Sequence, residues 1–147
     1  MDTKENEMYN ILSKHRADIE ELIEPFYYRY KRYKFNFCLF IIYSETLNDD
    51  CFYNHIRETD KCTMIDDNLA CVAFESMNAM EATTIIEKLL YHEQNAFNKP
   101  KSHYYSSIVC SSPDREDIIN KSFMILEYAY EYKITNEVLN YDVIPAK

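Results

Sequence analysis

The sequence predicts an α+β fold, a mixed sheet with flanking helices in a two-layer sandwich, preceded by an N-terminal helix. Three observations carry that prediction. Apolar residues at helical spacing alternate with short aromatic and β-branched runs. Two of those runs are separated only by Asp66, Asp67 and Asn68, residues that form turns. The chain has 147 residues, 47% apolar and 28% charged, the balance of one folded domain.

The elements follow in order. Met8, Ile11, Leu12, His15, Ile19, Leu22 and Ile23 mark a first helix. Asp2 or Thr3 is placed to cap it, and Pro25 to stop or kink it. Its broad apolar stripe is the surface expected to carry self-association. Phe26 to Lys34 reads as a second helical stretch, so residues 1–34 form an N-terminal helical segment and residues 35–147 the domain proper. Phe35 to Tyr43 has the composition of a buried central strand. Thr46 to Thr59 reads as a loop and a short helix. Lys61 to Ile65 and Leu69 to Phe74 make a hairpin across the Asp66–Asn68 turn.

Asn78 and Glu81 have capping-box spacing and open a helix. Its apolar face is Ala82, Ile85, Ile86, Leu89 and Leu90. Asn95 to Ser102 is a loop, and His103 to Cys110 a strand. Ser112 as N-cap and Pro113 at the first position start the last helix. Asp114, Glu116 and Asp117 suit its positive end, its stripe runs from Ile118 to Tyr130, and Asn136 is placed to end it. Val138 to Ile144 closes the sheet.

Composition excludes several functions. The chain has no Gly, where average usage would give roughly ten. Phosphate-cradling loops need that residue's access to φ > 0, so Walker A and dinucleotide fingerprints are ruled out. A net charge of −9 opposes general nucleic-acid binding. Cys38, Cys51, Cys62, Cys71 and Cys110 include no CxxC pair and no Cys/His pair at zinc spacing. They read as reduced thiols of a cytoplasmic protein. No apolar run is long enough to span a membrane, and the first residues do not form a signal peptide.

One stretch carries a family resemblance. Arg57-Glu58-Thr59-Asp60 is an RxxD sequence; five residues follow, and then Asp66-Asp67-Asn68-Leu69-Ala70 occupies a hairpin. This spacing, with the order of elements from Asn36 to Ile144, resembles the GGDEF, or diguanylate cyclase, domain. The resemblance implies a palm-like, ferredoxin-related fold. It also implies an inhibitory site at Arg57 and Asp60 that binds cyclic di-GMP, and a degenerate active-site hairpin at Asp66, Asp67 and Asn68. In the family, acidic residues at the end of the first strand and in the hairpin hold divalent metals on GTP. Here the first of those positions falls on Tyr43 or Ser44, poor ligands for a hard cation. The hairpin glycines are replaced by Asp66 and Asp67, which crowd and repel a triphosphate.

Each candidate has a plainer reading beside the functional one. An Arg fork can donate to guanine O6 and N7, and an Asp carboxylate can accept from guanine N1–H and N2–H₂. Arg57 and Asp60 also fit a surface ion pair worth under about 1 kcal/mol, or a relic of the fold. Arg29, Lys31, Arg32 and Lys34, interleaved with Tyr27, Tyr28, Tyr30 and Tyr33, form a basic-aromatic patch or simply a helix C-terminus. Asp66, Asp67 and Glu75 are a relocated metal site or a solvated acidic group. His15, His55, His92 and His103 read as structural or exposed, and Ser106, Ser107, Ser111 and Ser112 have no nucleophile elbow. The function expected is a catalytically inactive GGDEF-like signalling module with no cofactor and no resident metal. It senses cyclic di-GMP or recognises a protein partner, a homodimer included. The alternative is a metal-dependent nucleotidyl cyclase or transferase with shifted acidic ligands.

Overall fold

A computed structural model describes residues 7–45, 47, 57–92 and 103–145. The expected cap at Asp2 or Thr3, Cys51, His55, most of the Thr46–Thr59 stretch and the whole Asn95–Ser102 loop lie outside the described residues. The elements are α1 (Glu7–Lys14), α2 (Arg16–Tyr33), β1 (Phe37–Tyr43), β2 (Lys61–Asp66), β3 (Leu69–Glu75), α3 (Ala79–His92), β4 (Tyr105–Cys110), α4 (Arg115–Tyr132) and β5 (Val138–Leu139). A 3₁₀ turn over Tyr141–Val143 follows. The five strands are ordered β2-β3-β1-β4-β5, antiparallel except for β4 with β5. The α+β class, the mixed sheet and the hairpin are those expected from sequence.

Period-two geometry divides the core. Phe37, Leu39 and Ile41 of β1, with Leu69, Cys71 and Ala73 of β3, face α1, α2 and α4. Cys38, Phe40 and Ile42, with Ala70, Val72 and Phe74, face Ala82 and Ile86 of α3. The flanking helices thus occupy both faces, which is why these two strands are apolar at nearly every position. Met8 and Leu12 of α1 and Ile19, Leu22, Ile23 and Phe26 of α2 are buried in the first of these clusters. The stripe expected to carry self-association is therefore turned inward against the sheet.

Several boundaries move. The first helix breaks at His15, not at Pro25, and α2 runs through Pro25 to Tyr33. A proline inside a helix costs about 3 kcal/mol. Burying Leu22, Ile23 and Phe26 around it contributes roughly 1.5–3 kcal/mol each, so continuity wins. The last helix is capped by Asp114, which accepts from the Glu116 N–H at 3.0 Å, two residues after the expected Ser112. That helix ends at Tyr132, ahead of Asn136. The last strand is only Val138–Leu139, because the Asn140 side chain accepts the Asp142 N–H (2.8 Å) and turns the chain out of the ladder. The capping box of α3 forms as expected, at 2.8 and 3.0 Å.

A chain without Gly must place other residues in left-handed backbone. Lys34 and Lys133 do so at the ends of α2 and α4, and Ser76 and Asn136 in connections, with φ of 56–65°.

Candidate functional site

The candidates separate to opposite ends of the sheet. Arg57 and Asp60 precede β2 and lie beside Glu75 at the end of β3, whereas Asp66, Asp67 and Asn68 form the turn at its start. Six residue steps along β3 put these ends about 20 Å apart. A shared metal site of Asp66, Asp67 and Glu75 is therefore excluded.

At the Glu75 end, Asp60 is the organising group. Its Oδ2 accepts from the Arg57 backbone N–H and from Arg57 Nε, both at 3.0 Å. Its Oδ1 accepts from Arg57 Nη2 at 2.9 Å and from the Glu75 N–H at 3.0 Å. The Asp60 side chain is 1% exposed and that of Arg57 48% exposed. Arg57 Nη2 also donates to the Glu75 carbonyl. The two residues thus pair, with Asp60 inside and the guanidinium facing out.

A second arginine reaches the same place. Arg29 Nε pairs with the Glu75 carboxylate, and its guanidinium lies 4.8 Å from the Phe26 ring centroid. Arg29 and Arg57 therefore flank Glu75. No spacing in the sequence links them, because the contact depends on how α2 lies against the sheet. The remaining basic residues of that segment stack locally: Lys31 on Tyr27 at 6.0 Å and Arg32 on Tyr33 at 5.8 Å. Lys34 forms the left-handed cap of α2.

The turn end has different chemistry. His15 Nε2 lies 3.0 Å from Asp66 Oδ2, tying the hairpin to the break between α1 and α2. That hydrogen bond, helped by the Asp67 N–H, holds the Asp66 carboxyl below its ordinary value. Burial pushes the neighbouring Tyr43 phenol up, with Glu45, Glu7 and Asp66 adding to the effect. The Ser44 hydroxyl donates to the His103 carbonyl at 3.0 Å, and the Ser44 N–H donates to the Asn68 carbonyl at 2.9 Å. Among the described residues, no three His, Cys, Asp or Glu side chains are grouped to hold a metal ion. Nor is any described helix long and apolar enough to cross a membrane.

No protein-family model matches the chain, and no curated protein matches it in sequence. Solved structures do match it in shape. The GGDEF domain of DgcB from Caulobacter crescentus, in complex with c-di-GMP, superposes with a TM-score of 0.67 at 12% identity, over 87% of this chain and 90% of that one. The active GGEEF domain of a diguanylate cyclase from Vibrio cholerae has a TM-score of 0.59 at 18% identity, over 88% and 95%. Diguanylate cyclase SiaD from Pseudomonas aeruginosa, in complex with its activator SiaC, has a TM-score of 0.61 at 12% identity, over 86% and 57%. The fold is GGDEF-like.

Proposed function

We propose that this chain is a non-catalytic GGDEF-like signalling module that binds cyclic di-GMP at its Arg57 end. The observation that carries the proposal is the Arg57 guanidinium, half exposed, fixed by a buried carboxylate and flanked by Arg29 across Glu75. With Nε and Nη2 engaged by Asp60 and the Glu75 carbonyl, Arg57 Nη1 is left to donate to the O6 or N7 of a guanine, and a second cation nearby suits the phosphates. Asp60 already accepts four hydrogen bonds, the capacity of a carboxylate. In this reading Asp60 therefore positions Arg57, and Arg57 meets the ligand. The DgcB domain, solved with c-di-GMP, supports the ligand class. SiaD, solved with its activator protein, supports a protein partner.

The turn end supports the non-catalytic part. Where the family resemblance requires a metal-binding carboxylate, this chain offers the Tyr43 phenol and a Ser44 hydroxyl engaged with the His103 carbonyl. Divalent metals on a triphosphate need several anionic oxygens. Of the nearby carboxylates, Asp66 is engaged by His15.

The test is calorimetric titration of cyclic di-GMP into the protein and into Arg57→Ala, Arg29→Ala and Lys31→Ala, with folding checked by thermal melts. Saturable binding that is lost in Arg57→Ala, weakened at least several-fold in Arg29→Ala and kept in Lys31→Ala is the expected result. No heat from the parent protein, or unchanged binding in Arg57→Ala, overturns the ligand assignment. GTP turnover with Mg²⁺ or Mn²⁺ that is abolished by Asp67→Ala would overturn the non-catalytic reading.

A further inference from the structure

The two cysteines at the Glu75 end of the sheet face each other. Cys38 of β1 is directly opposite Cys110 of β4, with the sulfur atoms 3.4 Å apart. The Ser111 N–H donates to the Phe37 carbonyl at 2.8 Å, so positions 37 and 111 form a hydrogen-bonded pair. Hydrogen-bonded and non-hydrogen-bonded pairs alternate along an antiparallel ladder. Cys38 and Cys110 therefore occupy a non-hydrogen-bonded pair, where Cα atoms are about 4.5 Å apart and side chains closest. That spacing lies inside the range a disulfide spans.

The two thiols have different surroundings. Cys38 is fully buried and its sulfur lies 3.2 Å from the Met77 carbonyl. Cys110 is partly exposed. It lies by Ala79 at the start of the 14-residue helix α3, whose backbone N–H favours the charged sulfur. A donor at a helix N-terminus stabilises a thiolate.

We propose that Cys38 and Cys110 are a redox modification site, oxidised by hydroperoxides to a cross-strand disulfide with Cys110 as the attacking thiol. The Cys110 thiolate attacks one peroxide oxygen. An S–O bond forms, the O–O bond breaks, and the departing oxygen leaves as water or an alcohol after taking a proton. Cys110 is now a sulfenic acid, two electrons oxidised. The Cys38 sulfur attacks it, an S–S bond forms and the S–O bond breaks. The departing hydroxide takes up the Cys38 proton as water. Thiol reductants reverse the reaction by exchange.

Charge placement agrees with that order of attack. The Cys110 thiol is pulled down to about 7, first by its hydrogen bond with Cys38, in which either sulfur can donate, against burial and with help from the Ala79 N–H. The Cys38 thiol is pushed up, by the same hydrogen bond and by burial. Glu81 adds a negative field at Cys38. The disulfide would withdraw both sulfurs from Met77 and Ala79. Those residues follow the left-handed Ser76, directly after the Glu75 that Arg57 and Arg29 hold. The modification therefore acts on the segment joining the arginine site to α3.

The test uses the full chain. The reduced protein is treated with a modest excess of hydrogen peroxide, alkylated under denaturing conditions and mapped by mass spectrometry. A peptide linking Cys38 to Cys110, lost on adding dithiothreitol, is the expected product, with Cys62 and Cys71 still alkylated. A link made instead to Cys51, Cys62 or Cys71 overturns the assignment, as does full alkylation of Cys38 and Cys110. In a folded Cys38→Ser variant, a sulfenic acid on Cys110 should be trapped by dimedone several-fold more than in the parent. Equal or no trapping removes Cys110 as the attacking thiol. If the variant does not fold, the peptide map of the parent decides alone.

Discussion

Asp60 holds Arg57 through both of its carboxylate oxygens, at 2.9 Å to Nη2 and 3.0 Å to Nε, while burying itself against the sheet. The pair is unequal. Asp60 also serves two backbone donors, one of them the Glu75 N–H at 3.0 Å, so it ties the chain before β2 to the end of β3. Asp60→Ala should cost about 3 kcal/mol, since it strands two backbone N–H groups and a guanidinium. Arg57→Ala should cost only about 1 kcal/mol, because the carboxylate keeps its two backbone donors and the arginine is half exposed. Urea denaturation of both variants checks the order. An arginine variant as destabilised as the aspartate one would contradict this division of roles.

The His15–Asp66 contact makes a pH-dependent contribution. Asp66 has its carboxyl lowered from 3.8, so its stabilising effect is present at neutral pH. The effect fades as pH falls through the depressed carboxylate range and the group protonates in the folded state. Both side chains reach solvent, so Asp66→Asn should cost less than about 1 kcal/mol at pH 7. Denaturation curves of parent and variant should converge as the pH drops below the ordinary carboxylate value. A gap that persists there would mean the variant acts through something other than charge.

Ser107 offers a stabilising change. Its hydroxyl is buried in β4 with no hydrogen-bond partner among the described residues. Removing an unsatisfied buried hydroxyl recovers part of a desolvation penalty of about 1–3 kcal/mol, set against a very small cavity. Ser107→Ala should raise the melting temperature slightly, and at worst leave it unchanged. A loss of more than about 1 kcal/mol would show that the hydroxyl has an acceptor.

Lys133 ends α4 at φ 56°, a region where a Cβ costs roughly 1–2 kcal/mol. Lys133→Gly should therefore stabilise the protein by about 0.5 kcal/mol, after subtracting the added freedom of the unfolded chain and the lost cation at the helix end. Lys133→Ala keeps the Cβ and should show no gain. Equal melting temperatures for the two variants would place the strain elsewhere.

Local features are legible in the sequence. The Asn78–Glu81 capping box, the hairpin about Asp66–Asn68 and the burial of β1 all depend on neighbours a few residues apart, where composition and side-chain reach suffice. The Arg57–Asp60 spacing of three is local too, but that Asp60 is buried and Arg57 faces out depends on the packed end of β3. Pro25 misleads, because its local penalty is outweighed by burial that only the packed sheet supplies.

Residue type and short-range pattern are enough to set the class of fold, the order of its elements and the absence of a glycine-based phosphate loop. Packing is what brings His15 to Asp66 across 51 residues, Arg29 to Glu75 across 46, and Cys38 to Cys110 across 72. Strand order and register set these meetings, and a one-residue slip between β1 and β4 would send one of the two sulfurs to the opposite face. Register is fixed by burial of the whole sheet, which no local stretch of the chain encodes.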